Sequence, residues 1–296
     1  MSQTKIFKMS NIHNSLRSHD MLAFLFTDIN EFDGEQLILD FHKVTFISAN
    51  QFASLGCILA AYHKKHPDVT IVMDHASPAL TSIMRVNGFG KHFAFPAKPD
   101  TYNTSIPYRI FSVNDISEFE KYITMNIFSR NDLPKMDQTI QDGVIDNILE
   151  IFNNVKEHTN CSTLYTCGQY FPSKSLLYFT IADSGETIPN NVQNFLFEHN
   201  IEINTSLLEW AMQSGNSTRR ANLPGGLGLY FLSTFISQYA GELFIVSANE
   251  TYEQTLKGTR YKYLDHSFNG TIVTMAFNLN PKVHSSLIVD SNDFIF

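Results

Sequence analysis

The sequence predicts an α/β chain in two units: a parallel sheet with helices, then a sandwich whose mixed sheet carries helices on one face. Three observations carry this. Short apolar strands alternate with helical runs over roughly the first 98 residues, and strands spaced that way pair in parallel across helical crossovers. A long amphipathic helix then precedes two strands joined by a tight turn. The chain has 296 residues, 43% of them apolar, enough for two cores.

Taken in order, Leu37 to Phe41 (LILDF) is a short strand interrupted by Asp40. It leads through VTFIS into a helix with Phe52, Leu55, Leu59 and Tyr62 on one face, stopped by Pro67. Val69 to Met73 (VTIVM) is the next strand. In SPALTSIMRVNG, Ser77 and Pro78 are cap and first-turn residue, Leu80, Ile83 and Met84 point inward, and Gly88 ends the helix. Residues 99–114 read as a linker or edge strand, because prolines and polar residues replace any helical period.

The second unit, 115–296, opens with an amphipathic helix from Asp115 to Arg130 and a turn at Pro134. A long helix runs from about Met136 to His158. Strands STLYTCGQYF and SLLYFTIAD follow around Pro172-Ser173-Lys174. A helix from Ser206 to Met212, a polar glycine-rich loop, a helix from Leu227, and strands ELFIVS and TIVTMAFNL complete the unit.

Net charge is −8 and no long Lys/Arg cluster occurs. The chain lacks the cationic footprint of a protein that neutralises many phosphates, so direct nucleic-acid binding is not expected. Cys57, Cys161 and Cys167 form neither a paired framework nor a CxxC unit, as suits a reduced cytoplasmic setting. No apolar signal core and no run of about 20 apolar residues appears, so membrane insertion is not expected either. His63 and His66 lie three apart on a helix, but without a third ligand they read as a solvated face beside Lys64 and Lys65.

Three segments carry chemistry. On the helix Asn147 to Glu157, counting 100° per residue puts Asn154 and Glu157 within roughly 40° of Glu150, opposite Val144, Ile148, Ile151, Phe152 and Val155. The second is IADSGETIP, Ile181 to Pro189. The third is GNSTRRANLPGGLGLYFL, Gly215 to Leu232, a cationic glycine-rich loop entering a helix. In this order they resemble the GHKL nucleotide-binding superfamily: sensor histidine kinases, type II topoisomerase ATPase domains, heat-shock chaperone and mismatch-repair ATPases, and anti-sigma-factor kinases. The first unit, 1–98, resembles a STAS domain, the fold of anti-sigma-factor antagonists, through LILDFHKVTFISANQFASLG and ASPALTSIMRVNGFGKHF. The STAS phosphorylation loop usually reads Asp-Ser-Ser-Gly. Here Ser48, Ala49, Asn50 and Gln51 stand in those places, so Ala49 replaces the modified serine.

The resemblance implies ATP and Mg2+ as ligands. Asn154 would give its amide oxygen to magnesium, a hard cation that retains waters and phosphates as its other ligands. Glu150 would be the catalytic base that takes a proton from a nucleophile aligned on the γ-phosphate. Glu157 and His158 would contact magnesium-bound water or ribose. Asp183 would accept a hydrogen bond from the adenine amine and so reject guanine, whose carbonyl would face the carboxylate. Gly185 would let the backbone approach the base, and Thr187 stands where the family has a second glycine. Asn216, Ser217, Thr218 and Arg219 would close as a lid, Arg219 or Arg220 offsetting phosphate charge. Gly225, Gly226, Leu227 and Gly228 would present backbone N–H groups to the phosphates after Pro224. Gly270-Thr271 would open the closing strand, with Thr271 touching adenine. No Walker-type GxxxxGK[ST] occurs, and the GGLG turn lacks the preceding strand of a dinucleotide fingerprint.

Residues 115–149 contain no histidine to accept a phosphoryl group, unlike a sensor kinase. Topoisomerase-type coupling would need a transducer domain beyond Leu279. The anti-sigma kinase branch remains, with its STAS-like unit fused in cis. Two readings follow: an ATP-dependent regulatory switch, with protein serine/threonine kinase or slow ATPase activity toward a protein partner, or a non-catalytic nucleotide-binding module. The module could be a sensor subunit of a stress-response or phage-defence system. Either reading allows a homodimer and a partner of STAS or other regulatory type.

Overall fold

The computed structural model describes residues 3–129, 138–218 and 228–280. It is a mixed α/β structure with two sheets. The first is parallel, in the order β1 (Thr4–Lys8), β2 (Gln36–Asp40), β3 (Thr70–Asp74). Helix α1 (Leu16–Ile29) connects β1 to β2, α2 (Phe52–Lys65) connects β2 to β3, and α3 (Pro78–Val86) follows β3. The Ser77 hydroxyl accepts from the Leu80 N–H at 3.2 Å and Pro78 sits in the first turn, so α3 starts where the sequence places it. β1 and α1 had no counterpart in the sequence reading, although Leu22, Leu25, Phe26 and Ile29 are spaced as a helical stripe and are buried.

The second sheet has the order β4-β5-β6-β8-β7, built from β4 (Ser105–Ser112), β5 (Thr163–Phe171), β6 (Leu176–Asp183), β7 (Glu242–Thr255) and β8 (Gly258–Asn278). All four of its pairings are antiparallel, which corrects the expected mixed sheet. The expected linker 99–114 supplies the edge strand β4, with Pro107 at a register shift, where an edge tolerates a residue that cannot donate. The expected helix from Asp115 to Arg130 is shorter. Helix α4 covers Ile116–Ile123, and a π-turn takes over at Thr124–Phe128.

Helix α5 (Gln138–His158) presents Val144, Ile148, Ile151, Phe152 and Val155 to the sheet, all nearly inaccessible to water. Helices α6 (Ile188–His199), α7 (Leu207–Ala211) and α8 (Gly228–Gln238) complete the framework. α6 was not expected. Thr187 caps it through a bond from the Asn190 N–H at 3.3 Å, and Asn200, at φ 52°, ends it in the left-handed region.

Along β6 and β8 the side chains alternate. Leu177, Phe179, Ile181, Val273, Met275 and Phe277 join the core made with α4, α5 and α8. Ala182 and Ile272 join a different core, shared with α1, α2 and the parallel sheet. The first unit therefore covers the face of the antiparallel sheet opposite α5. Among the described residues no helix is long and apolar enough to cross a membrane. The three cysteines are free thiols, and burial pushes the Cys57 and Cys167 thiols well up, away from the reactive thiolate.

Candidate functional site

A cavity of about 460 Å³ opens between α5 and the ends of β6 and β8, within the size range of small-molecule sites. Asp146, Asn147, Glu150, Asn154 and His158 line it from α5, Asp183 from β6, Thr271 from β8. Ile188, Asn191 and Val192 of α6 and Trp210 of α7 also line it, as do Asn216, Ser217, Thr218, Gly228 and Phe231.

Asp183 ends β6 and is 1% exposed. One of its oxygens accepts the Gly185 N–H at 2.9 Å. Burial pushes its carboxyl up to about 7, and the Gly185 bond pulls the other way. Thr271 is its register partner across β6–β8. The Thr271 hydroxyl lies 2.8 Å from Ser247 Oγ, which also accepts the Ile188 N–H at 2.9 Å. This chain of hydroxyls fixes the start of α6 against the strands that carry Asp183 and Thr271. Thr271 lies well inside β8, so Gly270-Thr271 does not open a strand as expected.

Two other residues of the expected site have packing partners of their own. A Cβ on Gly185 would collide with the carbonyl oxygen of Thr159, the residue after α5, so the close packing of the two segments requires glycine there. Thr187 is buried, and its hydroxyl is used as the cap of α6; neither residue is among those lining the cavity. On the other side, a Cβ on Gly228 would meet the Glu150 carboxylate, so Glu150 lies against the first residue of α8. Asn216 donates to the Trp210 carbonyl at 2.8 Å, tying the segment before the loop to α7. Arg219, Arg220, Pro224, Gly225, Gly226 and Leu227 lie outside the described residues.

The sequence reading missed Asp146, Glu186, Asn191 and Trp210. Asp146 was within reach, since it stands one turn before Glu150 on the same face. Glu186, Asn191 and Trp210 follow from α6 and α7, which position them only through tertiary packing: Trp210 sits against Phe195 at 5.8 Å between ring centroids.

Four carboxylates, Asp146, Glu150, Asp183 and Glu186, line the cavity, and among the described residues no Lys or Arg does. Among the described residues no group of three His, Cys, Asp or Glu could hold a metal. His66 Nε2 is instead 2.8 Å from the Asn30 carbonyl. The cavity thus gathers a buried carboxylate, an apolar wall, and an amide and a carboxylate from one helical face. No family model matches the chain, and no curated protein matches it.

Proposed function

We propose that the chain is an ATP- and magnesium-binding regulatory protein with a GHKL-type site, its first unit being STAS-like. The observation that carries this reading is the convergence of Glu150, Asn154, Asp183, Gly228 and Thr271, from four separate elements, on one cavity. The apolar wall of Ile188, Val192 and Trp210 suits a base, and the carboxylate of Asp183 suits its exocyclic amine. The residues also fit the metal. Asn154 supplies a neutral oxygen on the cavity wall, a donor that suits a cation whose other ligands are phosphate and water. Bound magnesium would neutralise phosphate charge. Glu150 would take the proton of the attacking hydroxyl or water, and Asp183 would orient the base.

An acidic cavity repels a bare triphosphate, so binding is expected to depend steeply on the metal. Calorimetry, read in parallel by the fluorescence of Trp210, the sole tryptophan, should show ATP binding with Mg2+ and at least tenfold weaker binding in EDTA. GTP should bind more weakly than ATP. Equal affinity for ATP and GTP would remove Asp183 from its role.

The reaction is either phosphoryl transfer to a separate protein or slow hydrolysis. A non-catalytic module is the second reading, favoured by the loop Ser48 to Gln51: Ala49 replaces an acceptor hydroxyl, Ser48 is 4% exposed, and the sheet stands between this loop and the cavity. Intact-mass and peptide mass spectrometry after incubation with ATP should find no phosphate between Phe46 and Phe52. Stoichiometric phosphate on Ser48 would mean that the loop leaves its seat and serves as acceptor in cis.

A further inference from the structure

The loop that joins β2 to α2 buries polar side chains against the antiparallel sheet instead of offering them to solvent. Asn50 and Gln51 are both 0% exposed. Asn50 Nδ2 donates to Thr180 Oγ1 at 2.9 Å and to Asn14 Oδ1 at 2.8 Å. Gln51 Nε2 donates to the same Asn14 oxygen at 2.7 Å and to Thr274 Oγ1 at 3.3 Å. Its carbonyl accepts the Ser54 hydroxyl at 2.8 Å. The Ala49 N–H donates to Gln169 Oε1 at 3.1 Å. Thr180 and Thr274 are register partners, with hydroxyls 2.8 Å apart.

Buried amides are costly unless satisfied, so a network this complete specifies one seat for the loop. Thr180 and Thr274 lie on β6 and β8, three residues along the same strands from Asp183 and Thr271. At about 3.3 Å per residue that is roughly 10 Å, with an odd offset that puts the two pairs on opposite faces. The hydrogen-bonded seat on the back of the sheet therefore fixes the strand pair whose ends form one wall of the cavity.

We infer that Asn50 and Gln51 are positioning residues of the nucleotide site, holding Asp183 and Thr271 in register through Thr180 and Thr274. This rests on the proposed nucleotide reading. It gives the first unit a defined influence on that site: a partner that lifts the loop from its seat loosens the reading of the base.

The test compares Asn50→Ala/Gln51→Ala and Thr274→Val, which remove the bonds, with Thr274→Ser, which keeps the hydroxyl. Asn11→Ala is the control. Asn11 accepts the Thr45 N–H at 2.8 Å and the Phe46 N–H at 3.1 Å, earlier in the same loop, and its bonds do not go to the antiparallel sheet. Calorimetry on the folded full chain should show ATP affinity down about tenfold and the preference over GTP narrowed for the first two variants. Thr274→Ser and Asn11→Ala should match the parent. Hydrogen exchange of the nucleotide-free protein should quicken at residues 181–185 and 270–273 in the double variant and in Thr274→Val. Unchanged affinity, unchanged base preference and unchanged exchange in either folded variant would overturn the inference. If the parent binds no nucleotide, the nucleotide reading fails by itself. Exchange then decides the strand-positioning claim, and an unchanged pattern sinks it.

Discussion

Asp183→Asn is expected to bind ATP roughly 1–3 kcal/mol more weakly and yet to melt at higher temperature than the parent at pH 8. The two effects share one cause. The parent carboxyl is held near pH 7 by burial, against its ordinary 3.8, so the folded protein keeps a proton that the unfolded chain releases over that interval. Stability from this group therefore declines as pH rises from about 4 to about 7, and above that the full cost of a buried charge is present. At about 1.36 kcal/mol per pH unit, the displacement from 3.8 to about 7 sets a ceiling of about 4 kcal/mol. Asparagine removes the charge and can still accept the Gly185 N–H, so the variant should gain several degrees at pH 8 and almost nothing at pH 4. ATP affinity of the parent should rise between pH 6 and pH 8, because the adenine amine needs the ionised acceptor. Thermal melts that show no pH-dependent difference between the two proteins would mean that Asp183 is not a buried charge held for a ligand.

The site was legible where its chemistry lies on one helix. Glu150 and Asn154 follow from the period of α5, because the apolar stripe opposite them fixes which face is free. The covering of both sheet faces also left a trace in the sequence. An antiparallel strand with one wet face alternates, whereas LLYFTIAD is an apolar run ending in a carboxylate, and seven of its eight residues are buried. What remained illegible depends on distant partners. Asn50 and Gln51 read as ordinary polar loop residues until Thr180 and Thr274 are set against them, 130 and 223 residues away in sequence. α6 was hidden by its start: Pro189, Asn190 and Asn191 are residue types favoured in turns, while Thr187 supplies the cap and Val192 and Leu196 are buried. The packing demand on Gly185 is equally hidden, because the contact that requires it, the Thr159 carbonyl, comes from a different segment.

Glu150→Ala is expected to lower any ATP turnover by a factor of roughly 10² to 10⁴, the range a positioned general base supplies, without weakening ATP binding. The Glu150 carboxylate lies against Gly228 at the start of α8, where the helix dipole and backbone N–H groups favour an anion. Removing the carboxylate leaves that end of the helix to the phosphates, so the affinity of Glu150→Ala should equal or exceed that of the parent. Glu150→Gln separates proton transfer from hydrogen bonding: it keeps an acceptor at the same place but cannot take up the proton, and its turnover should fall as far as that of the alanine variant. Turnover retained by glutamine would assign Glu150 to positioning the nucleophile. Loss of binding in both variants would assign it to the architecture of α8. If the parent turns over no ATP, alone or with the proteins it captures, while still binding ATP with magnesium, Glu150 serves only to occupy the helix end before the nucleotide arrives. The chain then acts as a nucleotide-gated docking module.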